Sequence, residues 1–223
     1  AIIMVSKDAD MDCRRYATIS LANLACDVLN QVQVVVHGGL RPLLAMAQSP
    51  DIPSQRHAIM ALNNLAANEA NHATMYGKGA LQDIMTLAQS PEHDIREYAA
   101  FTLANLASNA EYCNRVGQEG GLLPLINLAH SRDVNAQCLA IAALRRMCQL
   151  TVQNRGRMIR GGALSPLAIA GYSGELEVQR EVAATLCNLS LSPEHKVEIA
   201  HSGALEPLIS LGQSPDVEVA RQA

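Results

Sequence analysis

Hydrophobic residues recur along this chain at spacings of three, four and seven, which is the pattern of amphipathic helices. Residues 58–65 carry Ala, Met, Leu and Leu at the first, third, fifth and eighth places, and residues 99–106 carry Ala, Phe, Leu and Leu there. Strict alternation of apolar and polar residues is absent, and β-branched residues are too few for a sheet protein. The pattern therefore predicts an all-α protein.

An apolar motif around one asparagine returns every 41 or 42 residues along the chain. Where the fourth of five copies is expected, Arg146 replaces the asparagine. A fixed period of about 40 residues is typical of stacked helical repeats and not of a globular enzyme core. The asparagines of the motif are Asn23, Asn64, Asn105 and Asn188.

A glycine anchor, Gly followed by Gly or Ala and then Leu, repeats in the same phase with steps of 41, 41, 42 and 41. It divides each unit of the period into three predicted helices. In one unit these cover residues 71–76, residues 81–88 and, for the long third helix, about 94–107. We expect the anchor to let two helices meet at a sharp angle because no Cβ intrudes. The anchors begin at Gly38, Gly79, Gly120, Gly162 and Gly203.

A Gln-Ser-Pro turn precedes several third helices, since proline cannot extend the helix before it and fits the start of the next. Its serines are expected to act as turn and cap residues rather than as phosphorylation sites. Acidic residues follow near each helix start, where the helix dipole favours them. They are Asp51, Asp94, Asp133 and Asp216.

These motifs resemble the armadillo repeat family, whose pattern is Asn, a later aliphatic residue, Gly-Ala or Gly-Leu, Pro-Leu, and Ala-Leu-x-Asn-Leu. The first Asn of that pattern is present as Asn30, Asn71 and Asn154. The resemblance implies a right-handed armadillo superhelix, an α-solenoid of about five three-helix repeats, truncated at both ends. It implies a single domain over residues 1–223, with repeats at 1–26 (partial), 27–67, 68–108, 109–150, 151–191 and 192–223 (partial).

Composition narrows the class of protein. A net charge of −4 does not suggest nucleic-acid binding, which needs a basic face. The six cysteines form no C-x-x-C pair and are expected to be buried thiols, as in a reducing, cytoplasmic compartment. The chain starts and ends inside repeats, so we expect a piece of a longer protein. Membrane contact, for example at the periphery of an organelle, would come only through parts absent here.

The sequence contains no set of residues typical of a catalytic site. The seven histidines show no metal-ligand spacing such as H-E-x-x-H, and no glycine-rich phosphate loop or nucleophile elbow occurs. We therefore expect no enzyme activity, no cofactor and no metal.

In armadillo proteins such as importin-α and β-catenin, the third helices line a concave groove, and their asparagines bind the main chain of a peptide. The resemblance assigns this role to Asn23, Asn64, Asn105 and Asn188. Asparagine suits it because its short side chain carries both a donor and an acceptor. The alternative is that these residues hold neighbouring helices together through backbone hydrogen bonds, and the sequence leaves both interpretations open.

Arginines accompany the asparagines. Arg15, Arg56 and Arg180 each lie eight positions before an Asn of the motif, and Arg146 replaces one. An arginine-edged groove would suit an acidic or phosphorylated segment. Alternatively, these arginines pair with acidic residues of adjacent repeats. A second basic patch is predicted at Arg155, Arg157 and Arg160.

Apolar side chains complete the predicted site. Tyr98 and Phe101 lie three apart beside Asn105, and Met60 shares the phase of Phe101, so these residues could anchor a partner segment. No tryptophan is present, and of the acidic positions typical of importin-α only Glu181 is acidic. A receptor for basic nuclear-import signals is therefore disfavoured.

The functional hypothesis is a cytoplasmic, non-catalytic interaction scaffold or adaptor that binds an extended or helical partner segment in the groove. Among armadillo proteins, the chain is most similar to vacuolar-membrane adaptors and armadillo-only proteins. Two alternatives remain: the substrate-recruiting domain of a U-box-type ubiquitin ligase, and an axonemal structural protein.

Overall fold

The computed structural model describes residues 1–6 and 10–223, so residues 7–9 of the first predicted repeat lie outside it. All regular elements of the described residues are helices, seventeen of them α-helices. The chain divides into two compact units, residues 1–108 and 109–223. This division coincides with a predicted border between repeats.

In the first unit, three long third helices lie side by side, α2 against α5 and α5 against α8. A 3₁₀ turn, Glu69–Asn71, precedes α6. The helices are α1 (Ile2–Val5), α2 (Met11–Ala25), α3 (Val28–Val36), α4 (Leu40–Ala47), α5 (Ile52–Ala66), α6 (His72–Gly77), α7 (Ala80–Leu87) and α8 (His93–Leu106).

The second unit repeats this arrangement, with α11 packed against α14 and α14 against α17. A 3₁₀ turn, Pro193–His195, precedes α15. The helices are α9 (Ala110–Gln118), α10 (Leu122–Leu128), α11 (Val134–Leu150), α12 (Val152–Arg160), α13 (Leu164–Ala170), α14 (Leu176–Ser190), α15 (Lys196–His201), α16 (Leu205–Gly212) and α17 (Val217–Gln222).

The predicted three-helix division is confirmed. Residues 71–76, 81–88 and 94–107 were expected to be helical, and α6, α7 and α8 start and end within one residue of these bounds. The core is built from leucines that return with the period: Leu62, Leu103, Leu144 and Leu186 are at most 1% exposed. Alanines next to them let helices approach closely; Ala58 and Ala99, for example, are fully buried.

The glycine anchors act through backbone conformation. The first glycine of every anchor has a φ between 79° and 94°, a region that side chains with a Cβ rarely adopt. The expected reason, that a Cβ would intrude, is wrong for the first glycine at Gly38 and Gly79, where a Cβ would meet nothing within 4 Å. It holds for the second glycine at Gly39 and Gly121, where a Cβ would lie within 3.0 Å of a valine side chain. The first glycine is therefore required by the left-handed turn between the first and second helices.

The turns before the third helices behave as predicted. The Oγ atoms of Ser49, Ser90 and Ser214 each accept a hydrogen bond from the backbone N–H two residues later. Asp51 then caps α5 by accepting from the N–H of Ser54 at 3.0 Å. Asp133 and Asp216 cap α11 and α17 in the same way. Asp94 differs, because it lies inside α8 and Glu92 occupies the cap position.

The expectation that the cysteines are buried is wrong for half of them. Cys113 and Cys148 are buried, but Cys13, Cys26 and Cys187 are exposed, and these five cysteines form no disulfide. Small side chains occur on both faces of these helices, so residue type alone does not predict burial. Burial raises the pKa of Cys148 to about 12, which keeps it protonated.

Within the described ranges, no helix is long and apolar enough to cross a membrane.

Candidate interaction face

The asparagines of the first unit form a row on the solvent side of α2, α5 and α8. Asn23 is exposed, and Asn64 and Asn105 are partly exposed. Neighbouring leucines on the same helices, Leu21 and Leu62, face the core instead. Because the three helices are adjacent and the asparagines share one phase, their carboxamides lie on one face.

Two of these carboxamides also bridge helices. The Nδ2 of Asn105 donates to Oδ1 of Asn63 at 3.2 Å, and the Nδ2 of Asn64 donates to the Sγ of Cys26 at 3.5 Å. The bracing interpretation therefore holds in part, although the acceptors are side chains rather than the expected backbone carbonyls. Among the described residues, no donor reaches Oδ1 of Asn64 or Asn105. Each amide thus keeps an acceptor, and its second N–H, for a partner.

Apolar side chains flank this row as predicted. Tyr98, Phe101 and Met60 are all partly exposed, and each lies one or two helical turns before an asparagine on its own helix. Tyr16, at the equivalent place on α2, is 68% exposed. The face therefore combines hydrogen-bonding amides with accessible apolar surface.

The arginine row is engaged within the protein. Arg15 donates from Nη2 to Oδ1 of Asp51 at 2.9 Å and from Nη1 to Oδ1 of Asp12 at 3.0 Å. Arg56 pairs with Asp94 in the same manner, and its Nη2 lies 3.7 Å from Oε2 of Glu92. The alternative interpretation, in which these arginines pair with acids of adjacent repeats, is the arrangement found.

The second unit contains one further pair between an arginine and an aspartate at the start of the next third helix. The Nη2 of Arg180 donates to Oδ2 of Asp216 at 2.5 Å. Each pair joins consecutive third helices. The aspartate near the start of one third helix follows the arginine of the preceding third helix by 36 or 38 residues. Hydrogen bonds from the arginines hold the pKa of Asp51 at about 2, and hold the pKa of Asp94 and Asp216 below its usual range. These guanidinium groups are therefore already engaged by acids of the protein itself.

The asparagine row is shorter in the second unit. Arg146 is exposed on α11, and Asn188 is partly exposed on the adjacent α14. Glu181, the one acidic residue at its predicted position, accepts from Nε of Arg145 at 2.6 Å. In the second unit, an exposed arginine therefore occupies a position at which the first unit has an asparagine.

The predicted basic patch is not an open surface. Arg155 donates from Nε to the carbonyl oxygen of Cys148 at 3.1 Å, near the C-terminal end of α11. Arg157 donates from Nη1 to the Oδ1 atoms of Asn114 and Asn154, at 2.8 and 2.7 Å. Of the three predicted residues, only Arg160 is exposed. The expectation failed because the sequence shows the arginines but does not show the carbonyl and amide oxygens that lie beside them in the fold.

Two buried asparagines of the first helices were missed as functional elements of the fold. Asn71 donates to the carbonyl oxygens of Gln31 and Leu65, at 3.3 and 3.0 Å. Asn154 donates to the carbonyl oxygen of Cys113 at 3.1 Å. Both link one repeat to the next, and their recurrence with the period was the signal that could have identified them.

These features define an armadillo repeat fold, and solved structures share it. No protein-family model and no curated protein matches the chain. A computationally designed armadillo repeat protein for modular peptide recognition matches with a TM-score of 0.90 and 23% identity, over 99% of this chain and 94% of that chain. A designed armadillo repeat protein in complex with the peptide (KR)4 matches with a TM-score of 0.86 and 23% identity, over 99% and 94%. An engineered protein matches with a TM-score of 0.84 and 27% identity, over 99% and 93%.

Proposed function

We propose that the protein is a non-catalytic interaction scaffold whose third helices bind an extended segment of a partner protein. The observation that carries this proposal is the row of three carboxamides on adjacent helices of the first unit. An extended chain presents alternating N–H and C=O groups, and amides on a short side chain can pair with both. Neutral amides neither give up nor take up protons at ordinary pH, so the same groups do not suit acid–base catalysis.

The solved structures add support from a different direction. Designed proteins of this fold were made for modular peptide recognition, and one is in complex with (KR)4. Proteins of this fold can therefore bind a peptide. The three exposed cysteines, none of them in a disulfide, fit a reducing compartment. We accordingly place the proposed adaptor activity in the cytoplasm.

The proposal is tested by selecting binders from a library of random linear peptides and comparing the wild-type protein with Asn64→Ala/Asn105→Ala. Two lost hydrogen bonds of about 1 kcal/mol each correspond to a roughly thirty-fold increase in Kd for the selected peptides. Isothermal titration calorimetry measures this change. Asn127→Ala, which alters an exposed asparagine on the second helix α10, is the matched control and should bind as wild type.

Folding of the double variant is checked by circular dichroism and by its urea midpoint. If a natively folded double variant binds every selected peptide with the wild-type Kd, the asparagine row only braces helices and the proposal is refuted.

A further inference from the structure

A second row of side chains lies beside the asparagines in the first unit, and each side chain of this ring row carries an aromatic ring. Tyr16, His57 and Tyr98 each precede an asparagine of the row by seven positions, on α2, α5 and α8 respectively. Tyr16 is 68% exposed, and the other two are partly exposed. The Nδ1 of His57 lies 2.7 Å from the carbonyl oxygen of Pro53, a residue of its own helix. The row therefore offers flat, largely apolar surface.

A third row lies between the rings and the asparagines. Its members precede the asparagines by four positions and are Ile19, Met60 and Phe101. All three are partly exposed, so accessible apolar surface continues across the three helices. None of the three rows contains a side chain that is charged at neutral pH, with histidine taken as neutral.

The arginines at the edge of this surface are paired, and acidic residues outnumber them. Arg15 is held by Asp12 and Asp51, and Arg56 by Asp94 and Glu92. Two guanidinium groups therefore meet four carboxylates, and a negatively charged ligand would find no excess of positive charge. On α8 the place of the arginine is taken by Glu97, whose Oε2 is 3.8 Å from Nδ1 of His93.

We infer that the first unit selects an uncharged partner segment with aliphatic or aromatic side chains, free of carboxylates and phosphate groups. This inference rests on the proposed function and specifies its ligand. A carboxylate or phosphate placed over the apolar rows would lose hydration without gaining a counter-charge. A cation would likewise lose hydration over the apolar rows, and the nearby carboxylates of Asp51 and Asp94 already accept hydrogen bonds from arginines. Aromatic and aliphatic side chains gain burial there, and such residues usually dominate binding energy.

The inference predicts the composition of peptides selected from the random library on the full chain. Peptides that require Asn64 and Asn105 should be depleted in Asp and Glu, enriched in aliphatic and aromatic residues, and not enriched in Lys or Arg. A synthetic version of one such peptide then receives a single Glu or a single Lys in place of a neutral central residue. The Glu version should bind at least about tenfold more weakly, and the Lys version no more tightly than the parent.

A variant of the ring row tests the surface itself. Tyr16→Ser should weaken the parent peptide several-fold, and it should leave folding intact because the side chain is 68% exposed. Tyr172→Ser is the matched control, since Tyr172 is 61% exposed and lies in the other unit. This control should bind with the wild-type Kd.

The possible results distinguish a failure of the uncharged-segment inference from a failure of the proposed function. If peptides that depend on Asn64 and Asn105 are rich in acidic or basic residues, the uncharged-segment inference is overturned while the proposed function stands. Tighter binding of the Glu or Lys version has the same meaning. If no selected peptide depends on these asparagines, the proposed function itself fails, and the inference fails with it.

Discussion

At the scale of single residues, one leucine per repeat carries much of the core. Leu103 is fully buried on α8, so Leu103→Ala should remove transfer energy and leave a cavity. We expect a loss of about 2–5 kcal/mol in the free energy of unfolding, measured by urea denaturation. Leu123→Ala, at a side chain that is 54% exposed, is the control and should change little. A loss within error of zero for Leu103→Ala would show that the helical phase has been assigned wrongly.

Gly117 on α9 makes room for the carboxamide of Asn154. An added Cβ would lie against the Oδ1 and Cγ atoms of that buried side chain. Gly117→Ala should therefore cost about 1–3 kcal/mol of stability, through strain and the displaced hydrogen bond to the carbonyl of Cys113. Gly77→Ala is the matched control, because a Cβ there meets nothing within 4 Å. Equal urea midpoints for the two variants would contradict the close contact.

The thiols should divide by exposure. Cys13, Cys26 and Cys187 are expected to react with iodoacetamide in the native protein, whereas Cys113 and Cys148 should react only on unfolding. The raised pKa of Cys113 and Cys148 adds to their protection, since the thiolate is the reactive form. Peptide-resolved mass spectrometry measures the labelling. Rapid native labelling of Cys148 would argue against the packing of α11.

Residue type predicted burial well only for side chains that are always buried at their helical phase. A leucine in the helical phase of Leu62 has no solvent-facing alternative, so its burial follows from the pattern. Cys26 and Cys113 are chemically alike, yet one is exposed and the other buried. The difference depends on which helices lie nearby, and the local sequence does not contain that information.

At the scale of elements, the arginine–aspartate pairs tie consecutive third helices together. In the folded protein the pKa of Asp51 is about 2, below its ordinary value of 3.8, so protonation favours the unfolded state. The stabilisation is fully present above about pH 4 and is lost as the pH falls towards 2. Asp94 and Asp216 should contribute in the same direction, since their pKa is also lowered.

The test compares urea midpoints across this acidic range for wild type and Arg15→Gln. The variant should lose less stability than wild type between pH 4 and pH 2, because the pKa of Asp51 is then less depressed. Arg132→Gln, at an exposed arginine, is the control and should follow the wild-type curve. Parallel curves for wild type and Arg15→Gln would mean that the pair does not stabilise the fold in solution.

Helix positions could be predicted from the sequence because the repeat period, the turn and the glycine anchor all indicate the same helix ends. The partners of the arginines could not be read in the same way. Arg15 and Asp51 are 36 residues apart, and their contact depends on the angle at which α5 lies beside α2. The sequence shows a similar spacing between the recurring arginines and the acidic residues at the helix starts. Whether the two groups pair or stay apart depends on how the helices pack.

At the scale of the whole molecule, the period near 41 residues predicted a stacked helical repeat, and the resemblance of its motifs implied the armadillo fold. The structural matches confirm that fold. The exposure of the candidate site residues agrees with the sequence prediction in part. The asparagine row and the flanking Tyr98 and Phe101 are accessible, whereas Arg15 and Arg56 are paired and Arg155 is bonded to a carbonyl. The accessibility of the neutral groups follows from helical phase, but the state of a charged group depends on its partners.

The central claim is that the third helices of the first unit bind an extended segment. The most direct measurement is a crystal structure of the protein with one selected peptide. We predict that the peptide crosses α2, α5 and α8, with its main chain hydrogen-bonded to the carboxamides of Asn64 and Asn105. A well-ordered peptide on the second helices, or one that leaves both carboxamides without a peptide partner, would contradict the claim.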